Sequence, residues 1–328
     1  MKRVTIYDVA KEANVSLATV SRVINGMDIV RGDTRDRVTE AIEKLGYKPN
    51  AVAQGLALKK TTTIALVIPE ASFTYTGQVI NGLLDVAKIY KYSILLHTVT
   101  EGITEISELI EDIIKSHADG VIIYSDKLSE SEINTLTSYD IPIVVIGNKI
   151  SGNKVSSVYV NIKQAVADLV NNYLDKGIVD IAIVEDRTNQ NAIKNMIAGA
   201  SEAFETHGKV FSNYIQIPRE YHNSYDYLQE YLKEKHHQLI ITNRDSQAMA
   251  CINAAKDLGI NIPEDMEVVC VIDTKYNSMM RPQLSSFFIP SYDLGAVAMR
   301  KMTKMLENEN EDGTIMLSYV FTPRQTTK

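Results

Sequence analysis

Residues 8–25 read DVAKEANVSLATVSRVIN, and this stretch predicts a helix-turn-helix. The pattern places a first helix up to Ala13, a turn at Asn14 and Val15, and a second helix after Ser16, which is a good N-cap residue. In a helix-turn-helix the second helix lies in the major groove of DNA and its N-terminal residues reach base edges. The stretch therefore points to a protein that reads double-stranded DNA.

The second helix has two different faces. Val20, Val23 and Ile24 recur at the spacing of one helical face and are expected to point inward. The opposite face carries short or polar side chains and one arginine, namely Leu17, Ala18, Ser21, Arg22 and Asn25. Arg22 is the candidate to bond a guanine, while Ser16, Thr19 and the first helix would hold phosphate. A plain helical hairpin with polar residues facing solvent is the open alternative.

A third helix is expected next, with Asp33 or Thr34 as its N-cap and apolar residues at helical spacing up to Leu45. Gly46 ends this helix. A further short helical segment, residues 49–57, begins with Pro49, which the first turn of a helix accepts because no N–H donor is needed there.

Charge is unevenly distributed along the 328 residues. Residues 1–60 carry 11 Lys and Arg against 7 Asp and Glu, a net charge of +4, whereas residues 61–328 carry 23 against 34, a net charge of −11. A basic head on an acidic body indicates that only the head faces phosphate.

From residue 64 onward, compact apolar runs alternate with amphipathic stretches. The apolar runs predict strands at 64–69, 93–96, 120–124, 143–147, 181–184, 239–242, 268–272 and 285–289. The amphipathic stretches predict helices at 77–90, 103–116, 163–175, 192–205 and 246–258. Alternation of this kind is typical of a parallel α/β fold. Some eight units exceed one typical open sheet, so we expect two α/β subdomains with a cleft between them.

Three motifs are similar to the N-terminal region of the LacI/GalR family of transcription regulators: VTIYDVAKEANVSLATVSRVING, LGYKPNAVAQGLA and KKTTTIALVIP. The resemblance extends over the whole chain. RPQLSSF (281–287) and YDLGAVAMRKMTKML (292–306) place it nearest to the branch of the family that mediates carbon catabolite control.

The resemblance implies a homodimer that binds pseudo-palindromic operator DNA. It implies a headpiece and hinge helix over residues 1–60, and a periplasmic-binding-protein-like core over 61–328. Within that core, the N-subdomain would comprise about 61–160 and 291–322, and the C-subdomain about 161–290 and 323–328.

DNA contacts are implied at twelve positions of the head and hinge: Tyr7, Ser16, Leu17, Ala18, Thr19, Ser21, Arg22, Asn25, Tyr47, Asn50, Ala51 and Leu56. In the family, the residue matching Leu56 unstacks a base step from the minor groove and bends the duplex. The alternative is that Leu56 packs the hinge helix against its dimer mate. Gln54 stands where the family has an arginine, so non-specific affinity and its salt dependence should be lower.

The catabolite-control branch is activated by a protein corepressor, the phosphocarrier HPr phosphorylated on serine. The resemblance assigns its contacts to Tyr292, Asp293, Arg300, Lys304 and Arg324. Arg300 and Lys304 lie four residues apart and share a helix face; a solvated basic face is the alternative. Thr100 and Glu70 depart from the pattern of this branch, so we expect the binding of HPr to be weaker than in close relatives or tuned to a different carrier.

A small sugar or sugar phosphate in the cleft is the alternative effector, with Asp245 and Asp273 matching two of its family contacts. Other family contacts are missing: Val160 replaces an aspartate and Met196 an arginine. A polar ligand without matching groups loses its bonds to water. Asp245 is equally explained as a carboxylate at a helix N-terminus.

Other classes of function are disfavoured. A dinucleotide-dependent enzyme would carry GxGxxG after the first core strand, where PEAS (69–72) stands, and GxSxG, HExxH and a P-loop are also missing. We expect neither a cofactor nor a metal, because there is no CxxC and the histidines are scattered. An exported sugar-binding protein would need an apolar signal segment after its basic start, and none is seen. We therefore expect a cytoplasmic protein, in keeping with two cysteines in apolar surroundings.

Overall fold

The computed structural model describes residues 4–48, 61–69, 74–99, 105–124, 128, 130–186, 190–218, 220–307 and 313–328. The chain forms two compact units. Of the described residues, the first unit comprises those up to 63 together with 117–119, and the second comprises those in 64–116 and 120–328.

Three short helices form the head: α1 (Ile6–Ala13), α2 (Leu17–Ile24) and α3 (Gly32–Leu45). Helices of 8, 8 and 14 residues are marginal on their own in water, so packing must hold them together. That packing is a small core of residues from all three helices: Val9, Ala10, Ala13, Val20, Val38 and Ala41. The helix-turn-helix expected from residues 8–25 is confirmed.

The helix ends follow local backbone chemistry. Asn14 ends α1 in the left-handed conformation with φ of 51°, and Ser16 caps α2 by accepting the Thr19 N–H at 3.1 Å. Gly46 ends α3 with φ of 61°, as expected. The expected start of α3 was wrong, because the helix begins at Gly32 with Arg31 as N-cap. Asp33 instead lies in the first turn, where a carboxylate interacts favourably with the helix dipole.

The second unit holds two six-stranded sheets. The first has the order β11-β5-β4-β3-β1-β2 and the second β12-β10-β9-β8-β6-β7. The strands are β1 (Thr63–Ile68), β2 (Ser93–Thr98), β3 (Gly120–Ile123), β4 (Ile143–Ile146), β5 (Val155–Val160), β6 (Ile181–Glu185), β7 (Tyr214–Gln216), β8 (Leu239–Thr242), β9 (Glu267–Cys270), β10 (Ser285–Phe288), β11 (Ile315–Leu317) and β12 (Val320–Thr322).

Nine helices of this unit are described: α4 (Thr74–Ile89), α5 (Ile106–Lys115), α6 (Glu130–Ser138), α7 (Ile162–Asp175), α8 (Gln190–Thr206), α9 (Tyr221–Glu234), α10 (Asp245–Asp257), α11 (Lys275–Met279) and α12 (Ser291–Leu306). None of the helices in the part of the chain described here has the length and apolarity that a bilayer crossing requires. Each strand and helix expected between residues 64 and 290 is present, and the expected α/β core with two sheets is confirmed.

The central strands β6, β8 and β9 of the second sheet are buried on both faces, which explains their largely apolar sequences. Along β6, Ile181 and Ile183 join one apolar cluster with residues of α7 and α8, whereas Ala182 and Val184 join another with residues of α9 and α10. The alternation follows from the two-residue period of a strand. We call this sheet with its helices the second lobe, and the other sheet with its helices the first lobe.

Three connections join the two lobes. Ile289 and Tyr319 in two of these connections, and Ile162 where the third ends at the start of α7, pack against the apolar clusters of both lobes. The Tyr319 hydroxyl also donates to Asp168 of α7 at 2.7 Å. The sequence led us to expect that the chain re-enters the C-subdomain at residue 323. In the structure it joins the second sheet earlier, because β12 pairs with β10 in the antiparallel direction from Val320 onward.

Helices α4 and α12 of the first lobe cross at two glycines. A Cβ atom built on Gly82 would lie 2.0 Å from the carbonyl oxygen of Tyr292, and one built on Gly295 would lie 1.9 Å from that of Val79. The two backbones therefore touch without intervening side chains. A related contact joins α7 and α8, where a Cβ on Gly199 would lie 2.2 Å from the carbonyl oxygen of Lys163.

The crossing predicts that Gly82→Ala destabilises the second unit by about 1–3 kcal/mol, because the helices must separate and the core beneath them repack. The unfolding midpoint in urea, followed by circular dichroism, measures this. Gly77→Ala on the same helix is the matched control, because no atom lies within 4 Å of a Cβ at that position. The control should be neutral, or stabilising by up to about 1 kcal/mol through helix propensity. Equal effects of the two substitutions would contradict the proposed contact.

Candidate functional site

Helix α2 presents a mixed face to solvent. Leu17, Ala18 and Arg22 are exposed, while Val20 is fully buried in the head core. Val23 and Ile24 pack against that core from the edge of the helix. The inward and outward faces are thus the ones expected from the sequence, and the Arg22 guanidinium lies on the outward face.

Hydroxyl groups organise the start and end of α2. Besides accepting the Thr19 N–H, the Ser16 hydroxyl is hydrogen-bonded to the Thr19 hydroxyl at 2.9 Å. At the other end, the Asn25 side-chain amide donates to the Ser21 hydroxyl at 3.4 Å. These bonds orient the polar groups of the outward face, so fewer rotamers would have to be ordered when the helix meets a ligand.

One ion pair and one hydrogen bond from an arginine connect parts of the head outside α2. The Lys44 ammonium lies 2.6 Å from the Glu12 carboxylate and joins α3 to α1, and this hydrogen bond raises the pKa of Lys44. Arg35 donates to the carbonyl oxygen of Met27 at 3.0 Å and so fixes the loop that follows α2. Sequence reasoning did not single out these positioning residues, because exposed charges on a helix carry no signal of their own.

The remaining head positions divide into three groups. Tyr7 is exposed on α1. Tyr47 is half-buried and packs against the head core. The hinge positions Asn50, Ala51, Gln54 and Leu56 lie outside the described residues.

A second exposed polar face lies on α12 of the first lobe. Arg300 and Lys304 are exposed one helical turn apart on the side opposite the buried Met299 and Met302. Their cationic groups lie towards the C-terminus of the helix, where positive charge interacts favourably with the dipole. The arrangement offers two cations on one surface of a rigid helix.

The N-terminus of α12 is tied to α4. The Tyr292 hydroxyl donates to the Asp85 carboxylate at 2.8 Å, and this bond raises the pKa of Tyr292. Asp293 is exposed next to it. The bond to Asp85 therefore orients the Tyr292 side chain. The ring itself remains partly exposed on the surface. Thr100 and Glu70, the two departures noted in the sequence, lie outside the described residues.

Arg324 does not join this face. Its guanidinium lies in the second lobe, where it forms an ion pair with Asp273 at 2.8 Å and donates to the Leu284 carbonyl and the Ser286 hydroxyl. The side chain is only 16% exposed. Arg324 therefore has partners within the chain and lies in a different lobe from Arg300; its assignment as a partner contact stays a prediction.

The two carboxylates expected to hold a small effector are also bonded within the chain. Asp273 accepts from Arg324, and Asp245 accepts from the Thr274 hydroxyl at 2.6 Å. Asp245 further accepts the Ser246 N–H at 2.7 Å in the first turn of α10. Its geometry is that of the helix N-terminal carboxylate that the sequence left open.

Comparisons with known proteins agree with this architecture. The family model "Bacterial regulatory proteins, lacI family" matches residues 5–50, and the model "Periplasmic binding protein-like domain" matches residues 170–327. The chain is 38% identical to the HTH-type transcriptional regulator pepR1 of Lactobacillus delbrueckii subsp. lactis, covering 99% of this chain and 98% of that protein. The chain belongs to the lacI family.

Another relative of this lacI-family regulator is the catabolite control protein A of Priestia megaterium, with 37% identity over 99% of both chains. The fold of the present chain is similar to that of a chain in the structure titled as the lac repressor dimer bound to operator and the anti-inducer ONPF. The TM-score is 0.85, with 21% identity over 99% of both chains. The protein is thus a DNA-binding transcription regulator with a helix-turn-helix head and a periplasmic-binding-protein-like core.

The structure also shows buried polar residues that sequence reasoning missed. Asp186, Arg244 and Gln247 form a network at one end of the second sheet. The available signal was Arg244 itself, a charged residue two positions after the wholly buried strand LIIT (239–242). A charge at such a point must be paired or face a ligand.

The face of α2 predicts that Arg22→Ala lowers operator affinity by roughly 1–3 kcal/mol per half-site and relaxes the preference at one base pair. Competition binding with single-base variants of a selected site measures both effects. Arg37→Ala removes the same charge from the exposed surface of α3 and should leave base preference unchanged. A uniform loss on every sequence would make Arg22 a phosphate contact instead.

Proposed function

We propose that this protein is a cytoplasmic, homodimeric regulator of carbon catabolite control that binds a pseudo-palindromic operator and takes seryl-phosphorylated HPr as its corepressor. The observation that carries the corepressor assignment is the pair of exposed cations, Arg300 and Lys304, on one face of α12. The relatives named catabolite control protein A support the same role.

DNA binding is assigned to the outward face of α2. Arg22 would read a base edge, and Leu17 and Ala18, both exposed at the N-terminus of the helix, would contact bases beside it. Ser16, Thr19, Ser21, Asn25 and Tyr7 would supply contacts around them. The resemblance of the hinge to the family assigns Leu56 to the minor groove, where its side chain would unstack a base step.

Pairing of two copies is assigned to an apolar surface of the first lobe. β2 is an edge strand of the first sheet, and its Leu96, on the same face as Ile94, which packs against the apolar cluster of α4, is 46% exposed. On α4, Leu84 is 43% exposed and Ile89 is 71% exposed. Apolar side chains grouped on an edge strand and a neighbouring helix favour a protein interface over a solvent surface. A two-fold arrangement would present two heads to the two half-sites of a palindrome.

The chemistry of α12 suits a phosphoserine. A phosphoserine carries about −1.5 to −2 charges and three acceptor oxygens, and a pair of cations can give it one to three charge-assisted hydrogen bonds. Exposed Asp293 and the ring of Tyr292 extend the same surface towards α4. HPr without the phosphate would lack these bonds, so discrimination of about 1–3 kcal/mol is expected.

A sugar or sugar phosphate in the cleft is the less favoured effector. Asp245 and Asp273 have donors within the chain, and Met196, at the position of a family arginine, is fully buried. A ligand at these carboxylates would have to replace bonds that already exist.

The assignment predicts that seryl-phosphorylated HPr raises operator affinity, and that Arg300→Ala removes most of this effect. Fluorescence titrations with phosphorylated and unmodified HPr, each with and without operator, measure it. By linkage, operator must tighten HPr binding by the same factor.

The matched control is Lys209→Ala, which removes an exposed cation from the second lobe and should leave the response intact. Equal binding of the two forms of HPr, or a full response of Arg300→Ala, would refute the corepressor assignment. DNA binding by α2 would stand in either case.

A further inference from the structure

Two charged side chains converge at the carboxyl ends of neighbouring strands in the second sheet. β6 and β8 pair in parallel, with Ile183 beside Ile241. Asp186 follows β6 directly, and Arg244 comes two residues after the end of β8. Both residues are buried, at 6% and 7% exposure. In open parallel sheets a ligand binds in the crevice outside the carboxyl ends of the strands, so this is where a ligand is expected.

The Arg244 guanidinium forms an ion pair with the Asp186 carboxylate at this point. Gln247, in the first turn of α10, donates to the same carboxylate at 2.7 Å. Its side-chain oxygen accepts the N–H groups of Asn243 at 3.1 Å and Arg244 at 3.0 Å. The cation, the anion and the N-terminus of α10 thereby form one hydrogen-bonded network.

The other two carboxylates of this edge are engaged in the same way. Asp245 accepts from the Thr274 hydroxyl, and Asp273 accepts from Arg324. Every carboxylate among these three positions thus has a donor from the chain itself. An incoming polar ligand would have to displace those donors, and the displacement leaves buried charge without compensation.

We propose that Arg244 acts as an internal ligand of the second lobe. Its guanidinium occupies the position of an effector and, through Asp186 and Gln247, holds β6, β8 and α10 in the arrangement that an effector would otherwise stabilise. The lobe is then kept in its DNA-competent state without a small molecule, and the surface of α12 remains for the regulatory signal. This inference rests on the proposed function, because operator affinity is its readout.

Chemical rescue tests the proposal. Arg244→Ala should weaken operator binding about tenfold, within the usual range of allosteric couplings. Ethylguanidinium, which restores the missing part of the side chain, should recover most of that affinity at millimolar concentration and leave the wild type unchanged. Ethylammonium at the same concentration controls for the effect of salt on DNA binding. Lys256→Ala, which removes an exposed cation from α10, should match the wild type throughout.

A structural role of the ion pair would give a different result. If Arg244→Ala bound operator as tightly as the wild type, or if its loss were not recovered by ethylguanidinium in a protein with wild-type circular dichroism, the proposal would be wrong. Should Arg244→Ala fail to fold, Gln247→Ala provides the second test, since it keeps the charge pair but frees the carboxylate from α10. It should weaken operator binding several-fold, within the same coupling range, and wild-type affinity would overturn the proposal.

Calorimetric titration of the wild type with glucose and with glucose 6-phosphate completes the test. No saturable heat is expected, and saturable binding that Asp245→Ala weakens would place an external ligand at this edge and refute an internal one. Failure of the wild type to bind any sequence selected from a random pool would instead count against the proposed function.

Discussion

Helices α4 and α12 touch backbone to backbone at Gly82 and Gly295, and much of the first lobe depends on that contact. The close approach buries Leu83 of α4 and Met299 of α12 in one apolar cluster with the first sheet. Because the inner side of α12 is committed to this cluster, Arg300 and Lys304 face outward, whereas Lys301 of the same helix is buried. The same contact that stabilises the lobe therefore sets the orientation of the basic face.

Charge is distributed differently in the head and in the rest of the chain. The head has a net positive charge and exposes Arg22, whereas the rest of the chain is acidic. Within the second lobe, charges are paired: Arg244 with Asp186, both buried, and Arg324 with Asp273, both partly buried. Buried pairs specify one arrangement of the strands, whereas an exposed cation such as Arg22 can pair with a phosphate group of another molecule.

Prediction from the sequence succeeded where period and composition carry the signal, and failed where a strand or helix is rich in polar residues. β5 reads VSSVYV, so its apolar run is interrupted, yet Ser156 and Ser157 are buried and hydrogen-bonded to Gly313 and Ile150. α9 was missed because its sequence, YHNSYDYLQEYLKE, is mostly polar and buries only three residues. A polar group can be buried when a distant segment supplies its partner, and a local pattern does not show that segment.

The sequence by itself determined the helix-turn-helix, the outward position of Arg22, the alternation of strands and helices, and the family. These features follow from residues close together in the chain, whose spacing sets which face they occupy. Only the tertiary structure decided the partners of Arg324, Asp273, Asp245 and Arg244. Asp273 lies 51 residues from Arg324, and Asp186 lies 58 residues from Arg244. Sheet pairing brings such groups together, so whether a charge faces a ligand or its own chain is a property of the folded molecule.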